Sequence, residues 1–104
     1  MIAGLGVDVI EVERIRTAVE RHGDHFLRHV FREDEQADAP DGDAKFAFYA
    51  GRWAAKEAIS KVLGTGVGEA CAWTDMRIHR TESGKPSAVL SGRAKKTMQA
   101  LGID

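Results

Sequence analysis

The sequence predicts an α+β fold in which a small, mostly antiparallel sheet packs on one long central helix. Three observations carry that expectation. The stretch from about Ala44 to Leu63 keeps helical spacing between a Pro40 to Asp43 loop and a glycine cluster. A short β-branched run opens the chain. Ala72 to Arg80 and Ser87 to Leu90 flank a Ser83-Gly84 turn as the two arms of a hairpin do. With 104 residues, 43% of them hydrophobic, the chain has the length of one compact domain over 1–104 and no room for a second core.

Taken in order, residues 2–10 (IAGLGVDVI) fit a buried strand whose Gly4 and Gly6 allow close backbone approach and which leaves Asp8 near its C-terminal end. From Glu11 to Arg21, Val12, Ile15, Ala18 and Val19 recur at helical spacing and leave Arg14, Arg16 and Arg21 on the polar side, an amphipathic basic helix. Phe26, Leu27, Val30 and Phe31 continue as a second short helix, followed by an acidic loop that Pro40 and Gly42 keep from being helical.

In the long helix, at about 100° per residue, Phe48, Ala55, Ile59 and Val62 form one apolar face, while Phe46, Trp53, Glu57 and Lys61 fall together on the opposite side. Apolar bulk on both sides calls for cover on both sides, and in so small a domain a second subunit could supply it. Gly64-Thr65-Gly66 stops this helix. Beyond it, Met76 and Ile78 alternate with Arg77 and His79 as in a half-buried strand. Ser91 offers an N-cap to a last helix carrying Ala94, Met98 and Leu101 on one face, with Gly102 as its stop.

Composition narrows the function. Lys and Arg total 15 against 16 Asp and Glu, a formal net charge of -1, which excludes a histone-like role and argues for no nucleic acid partner. No run approaches the ~18 apolar residues of a membrane span, and no basic region leads into an apolar stretch at the N-terminus, so a soluble, cytoplasmic protein is expected. A lone Cys71 suits a reducing compartment and reads as a small buried apolar residue. Charge is nevertheless uneven. Arg14, Arg16, Arg21, Arg28 and Arg32, interleaved with His22, His25 and His29, precede Glu33, Asp34, Glu35, Asp38, Asp41 and Asp43. This is either a solvated helix face with a polar loop or a docking face for an acidic partner.

Two carboxylates stand at defined places, Asp8 at a strand end and Glu57 in the long helix between Lys56 and Lys61. Carboxylate oxygens are hard ligands, and Mg²⁺ takes only one or two of them beside water and substrate phosphates, which the lysines could also hold. The plain alternatives are an i, i+4 ion pair of Glu57 with Lys61 and a turn residue at Asp8. Gly64 to Gly68 lacks the lysine of a P-loop and follows a helix instead of preceding one, so it is a helix stop on its own terms.

GLGVDVIEVERI around Asp8 and GRWAAKEAISKVLGTG around Glu57 together resemble the two signatures of the 4'-phosphopantetheinyl transferases, specifically the small bacterial holo-(acyl-carrier-protein) synthases. The likeness extends through FLRHVFREDE, WTDMRIHRTESGKPSAVLSG and the closing helix. It implies the 4'-phosphopantetheinyl transferase fold and a Mg²⁺-dependent enzyme in fatty acid or polyketide biosynthesis. Such an enzyme moves 4'-phosphopantetheine from coenzyme A to a serine of apo acyl carrier protein and releases 3',5'-ADP. By the same resemblance, Asp8 and Glu57 hold the metal and Lys61 contacts the transferred phosphate. Arg52 and Lys56 assist with phosphates, and Gly64, Thr65 and Gly66 approach the nucleotide. Glu35 matches a glutamate that orients water or serves as base. Arg14, Arg21 and Arg28 meet the acidic helix of the carrier, and the assembly is a homotrimer with sites between subunits. Members usually continue into a terminal strand with a Ser-x-Ser-His motif, and these 104 residues stop before it. A non-catalytic module that binds the carrier or coenzyme A is the alternative expectation.

Overall fold

In the computed structural model, the backbone of residues 2–3 and 7–103 and the side chains of residues 9–103 are described. The order is β1 (Ile2–Ala3), β2 (Val7–Asp8), α1 (Val9–His22), α2 (Asp24–Val30), α3 (Glu33–Ala37), α4 (Ala44–Val62), β3 (Met76–Arg80), β4 (Pro86–Leu90) and α5 (Gly92–Ala100), with a short 3₁₀ turn at Trp73–Asp75 before β3. The fold is therefore α+β with small antiparallel sheets. The chain divides into two compact units, Met1–Ala55 and Lys56–Asp104, and the division falls inside α4.

In the first unit the expected opening strand is two short ones. β1 and β2 pair antiparallel with Ile2 opposite Asp8 and Ala3 opposite Val7, so the ladder closes at Asp8 and α1 takes Val9 and Ile10. Glu11 in the first turn of α1 complements the positive end of the helix dipole, which favours starting the helix there. The close approach expected at Gly4 and Gly6 lies outside the described residues. The core of this unit joins Ile15, Val30, Phe31, Phe46, Tyr49 and Ala50, all buried. Phe31 packs on Tyr49 with ring centroids 4.7 Å apart and meets Phe26 edge to face at 6.3 Å. A helix not expected from the sequence, α3, occupies the acidic run after Arg32: three acids fill its first turn, where the dipole favours them, and Glu35 closes a capping box with Arg32.

On α4 the buried face is not the expected one. Phe46 is 6% exposed, whereas Val62, placed on the apolar face by periodicity, is 73% exposed. The buried positions are Phe46, Tyr49, Ala50, Arg52, Lys56 and Ser60, with Leu63 just past the helix end. These recur at three- and four-residue steps, so they share one face about 110° around the helix from Phe48, Ala55, Ile59 and Val62. Three of them are polar, which hid the face from a hydrophobicity count.

The second unit is a hairpin and a helix around one cluster. β3 and β4 pair antiparallel from Met76 opposite Leu90 to Arg80 opposite Pro86, and Met76 and Ile78 alternate inward as expected. Leu63, Cys71, Met76 and Ala94 are buried together, with Ile59, Val67, Trp73, Leu90 and Met98 packed around them. Ser91 is the N-cap residue of α5, but its side chain does not cap the helix. The Asp75 carboxylate does so instead, accepting the Ala94 N–H at 3.3 Å and the Ala72 N–H at 3.2 Å. Gly92 is required beside it: φ is +54°, and a Cβ there would lie 2.6 Å from Asp75 Oδ1. Leu101, expected on the packed face of this helix, is 54% exposed because α5 has already ended at Ala100.

Candidate active site

Helix α4 arranges the second signature. Glu57 and Lys61 lie one turn apart, Glu57 half-buried and Lys61 exposed near the C-terminus of the helix. Among the described residues neither side chain makes an ion pair or hydrogen bond, so the simple i, i+4 pair is not formed; only the main-chain carbonyl of Glu57 is engaged, by the Ser60 hydroxyl at 2.7 Å. A half-buried carboxylate and an exposed ammonium thus share one helix face without pairing. The helix ends where Thr65 and Gly66 both donate their N–H groups to the Ser60 carbonyl at 3.2 Å, a turn that Gly64 permits with φ +78°. Gly64, Thr65 and Gly66 are exposed, and the Thr65 hydroxyl donates to the Gly66 carbonyl at 2.7 Å.

Arg52 and Lys56 occupy the buried face instead. Arg52 is 5% exposed and its guanidinium carbon lies 3.6 Å from the centroid of Phe48 one turn earlier. Lys56 is fully buried, and its ammonium donates to the Trp73 carbonyl at 3.2 Å. Sequence reasoning missed this interior position. The signal was available in the spacing of Tyr49, Lys56, Ser60 and Leu63, which is as regular as that of the apolar residues.

Glu35 is likewise closed to solvent. Its carboxylate accepts the Arg32 N–H at 3.0 Å and caps α3. Its charge also bears on Tyr49, whose phenol is pushed above its ordinary range first by burial and then by Glu35. Cys71 is buried; burial raises its thiol, the Asp75 charge adds to this, and a hydrogen bond with Thr65 only partly offsets them.

Asp8 ends β2 directly before α1; its side chain, and so its relation to Glu57, lies outside the described residues. Arg14, Arg21 and Arg28 are exposed along α1 and α2. Arg14 pairs with Glu11 at 3.1 Å and borders, with Val9, Ile10, Glu13 and Thr17, a recess of about 460 Å³. No helix of the described residues is long and apolar enough to cross a membrane.

Comparison with known proteins bears on these two signatures together. The model of the 4'-phosphopantetheinyl transferase superfamily matches residues 4–103. The chain belongs to this superfamily. As a superfamily member it is a transferase, and three proteins similar to it are of one kind. It is 46% identical over 101 residues to a holo-[acyl-carrier-protein] synthase of Brucella ovis, a match covering 97% of this chain and 75% of that protein. Its fold superposes on the crystal structure of holo-[acyl-carrier-protein] synthase from Neisseria meningitidis with a TM-score of 0.80 and 27% identity, over 89% of this chain and 74% of that one. The Helicobacter pylori synthase solved in complex with coenzyme A gives a TM-score of 0.74 at 29% identity, over 89% and 76% of the two chains.

Proposed function

We propose that this chain transfers 4'-phosphopantetheine from coenzyme A to a serine of apo acyl carrier protein. The observation that carries the reading is the pair on α4, Glu57 and Lys61, one turn apart with side chains that have no partners among the described residues, inside the span that the superfamily model matches. The activity for which the relatives are named supplies the carrier, and the coenzyme A complex of the Helicobacter pylori protein supplies the donor.

In the proposed reaction the serine oxygen bonds to the β-phosphorus of coenzyme A while the bond from that phosphorus to the bridging oxygen breaks. 3',5'-ADP leaves with the electron pair and the serine proton passes to solvent or base. Such a transfer needs positioning and charge neutralisation more than covalent help. The Lys61 ammonium faces the transferred phosphoryl oxygens. Asp8 and Glu57 fit Mg²⁺ as hard oxygen donors, two carboxylates being what that ion takes from a protein. The ion, when bound, neutralises the pyrophosphate charge. Gly64, Thr65 and Gly66 give exposed backbone for the nucleotide to approach, and Arg52 and Lys56, held inside, fix the helix that carries Glu57 and Lys61. Glu35 acts as a positioning residue through the α3 cap. Arg14, Arg21 and Arg28 steer an acidic carrier toward α1 and α2, and three copies form a trimer in the cytoplasm.

The test is to incubate apo carrier protein with coenzyme A, Mg²⁺ and this protein, and to weigh the carrier by mass spectrometry. A gain of one phosphopantetheinyl group, lost when Mg²⁺ is chelated, is the expected result. Binding of the carrier with no gain in mass would overturn the transferase reading.

A further inference from the structure

Ser60 lies between Glu57 and Lys61 on α4 and is only 2% exposed. Its hydroxyl donates to the Glu57 carbonyl at 2.7 Å, the same oxygen that the helical i to i−4 pattern assigns to the Lys61 N–H. One carbonyl therefore gathers the main chain of Glu57, the side chain of Ser60 and the N–H of Lys61. A buried helical serine often satisfies its hydroxyl in the preceding turn, so this bond alone would be a local matter. The Ser60 carbonyl makes it more than that. It accepts the N–H groups of both Thr65 and Gly66 at 3.2 Å, while Gly64 donates to the Lys61 carbonyl at 3.0 Å.

The bonds from Thr65 to Ser60 and from Gly64 to Lys61 are the paired closures of a Schellman turn, with Gly64 as its left-handed residue at φ +78°. The turn thus hangs on the main chain of Ser60 and Lys61, and the Ser60 side chain ties that main chain back to Glu57. Further on, Gly68 and Cys71 exchange N–H to carbonyl bonds at 3.0 and 3.2 Å, and the Thr97 hydroxyl donates to the Ala70 carbonyl at 3.1 Å. Residues 65–67 are therefore held between two anchors, and Ser60 is the one that also reaches Glu57. We propose that Ser60 is a positioning residue for phosphoryl transfer. Its hydroxyl sets the rise and rotation between the Glu57 carboxylate and the Lys61 ammonium, and its carbonyl keeps the turn at residues 64–66 in register with them. The groups that meet the pyrophosphate and the backbone that meets the nucleotide then move as one piece. The inference rests on the transferase reading and adds to it the residue that couples the two halves of the coenzyme A site.

The experiment compares the native chain with Ser60→Ala and Ser60→Thr. Alanine is the better helix former and the Glu57 carbonyl keeps its helical donor, so Ser60→Ala should unfold in urea close to the native midpoint. Its kcat should nevertheless fall roughly tenfold, less than the hundredfold that a ~1 Å misplacement can cost, while KM for apo carrier protein stays native. Ser60→Thr keeps a hydroxyl able to reach the same carbonyl and should recover most of the rate. Amide exchange followed by nuclear magnetic resonance reads the coupling without any turnover: the N–H groups of Lys61, Thr65 and Gly66 should exchange severalfold faster in Ser60→Ala, with those of α5 unchanged. Native kcat in Ser60→Ala, a loss confined to KM, unchanged exchange at all three amides, or a threonine variant that unfolds at the native midpoint yet is no faster than the alanine one overturns the proposal. Absence of transfer by the native chain would instead remove the function proposed above, and the exchange rates would still decide whether the Ser60 hydroxyl holds the turn.

Discussion

The buried ammonium of Lys56 donates a hydrogen bond to the main-chain carbonyl of Trp73, 3.2 Å away and 17 residues along the chain. It holds the segment entering β3 against the C-terminal half of α4. Lys56→Ala removes the donor, leaves a cavity and strands a polar carbonyl, so it should lower stability by about 2–4 kcal/mol. Urea unfolding followed by circular dichroism measures this. A loss under half a kilocalorie would mean that the contact is not held in solution.

The Asp75 carboxylate and Gly92 are coupled. Gly92→Ala should destabilise by at least ~1 kcal/mol, from the positive φ and the 2.6 Å approach to Asp75 Oδ1. Asp75→Ala should take away about 1–2 kcal/mol of capping at Ala72 and Ala94. In the double variant the two losses should sum to more than the measured total, since the clash is gone once the carboxylate is. Strict additivity of the thermal unfolding data would show that Gly92 matters for its backbone angle alone.

Asp8→Ala and Glu57→Ala should each reduce transfer by roughly a hundredfold or more, the scale seen when one electrostatic contact to a reacting centre is removed. Far-ultraviolet circular dichroism should stay native for Glu57→Ala, whose carboxylate makes no hydrogen bond or ion pair among the described residues. Near-normal turnover in either variant with Mg²⁺ present would remove that carboxylate from the metal site.

Reversing charge at Arg14, Arg21 and Arg28 should raise KM for the carrier far more than KM for coenzyme A. The native KM for carrier should rise with salt as exposed charges are screened over ~10 Å at 0.1 M. Steady-state kinetics with each substrate varied in turn separates the two effects. Equal changes in both constants would place these arginines elsewhere than on the carrier.

Tyr49 predicts an alkaline limit. Its phenol is raised in the folded chain from an ordinary value of 10.0, so the neutral form stabilises the fold fully below that pH and the contribution disappears as pH climbs through the folded value. Stability should therefore fall above pH 10, and Tyr49→Phe should fall less steeply over the same window. Identical slopes would assign the alkaline loss to other groups.

Much of the architecture was legible. Alternation at Met76 and Ile78 and the Ser83-Gly84 turn located the hairpin, and helical spacing located α1, α2 and α4 to within about two residues. What escaped depends on polar groups doing structural work. The buried face of α4 runs through Arg52, Lys56 and Ser60, whose burial depends on partners that periodicity does not count, such as the Phe48 ring and the Trp73 carbonyl. α3 was hidden because Glu33, Asp34 and Glu35 read as a solvated run, although acids in a first turn are a helix-start signal. Within the candidate site, Glu57 and Lys61 were readable from spacing. The interior positions of Lys56 and Glu35 were not, because a charge says nothing of which way it faces until its neighbour is known.

The cap that Asp75 places on α5 arrives from nineteen residues upstream, across the whole β3–β4 hairpin. Nine residues are too few for a helix to persist by itself in water. This segment therefore depends for its helical form on the paired β3–β4 hairpin, which brings the Asp75 carboxylate back to its first turn.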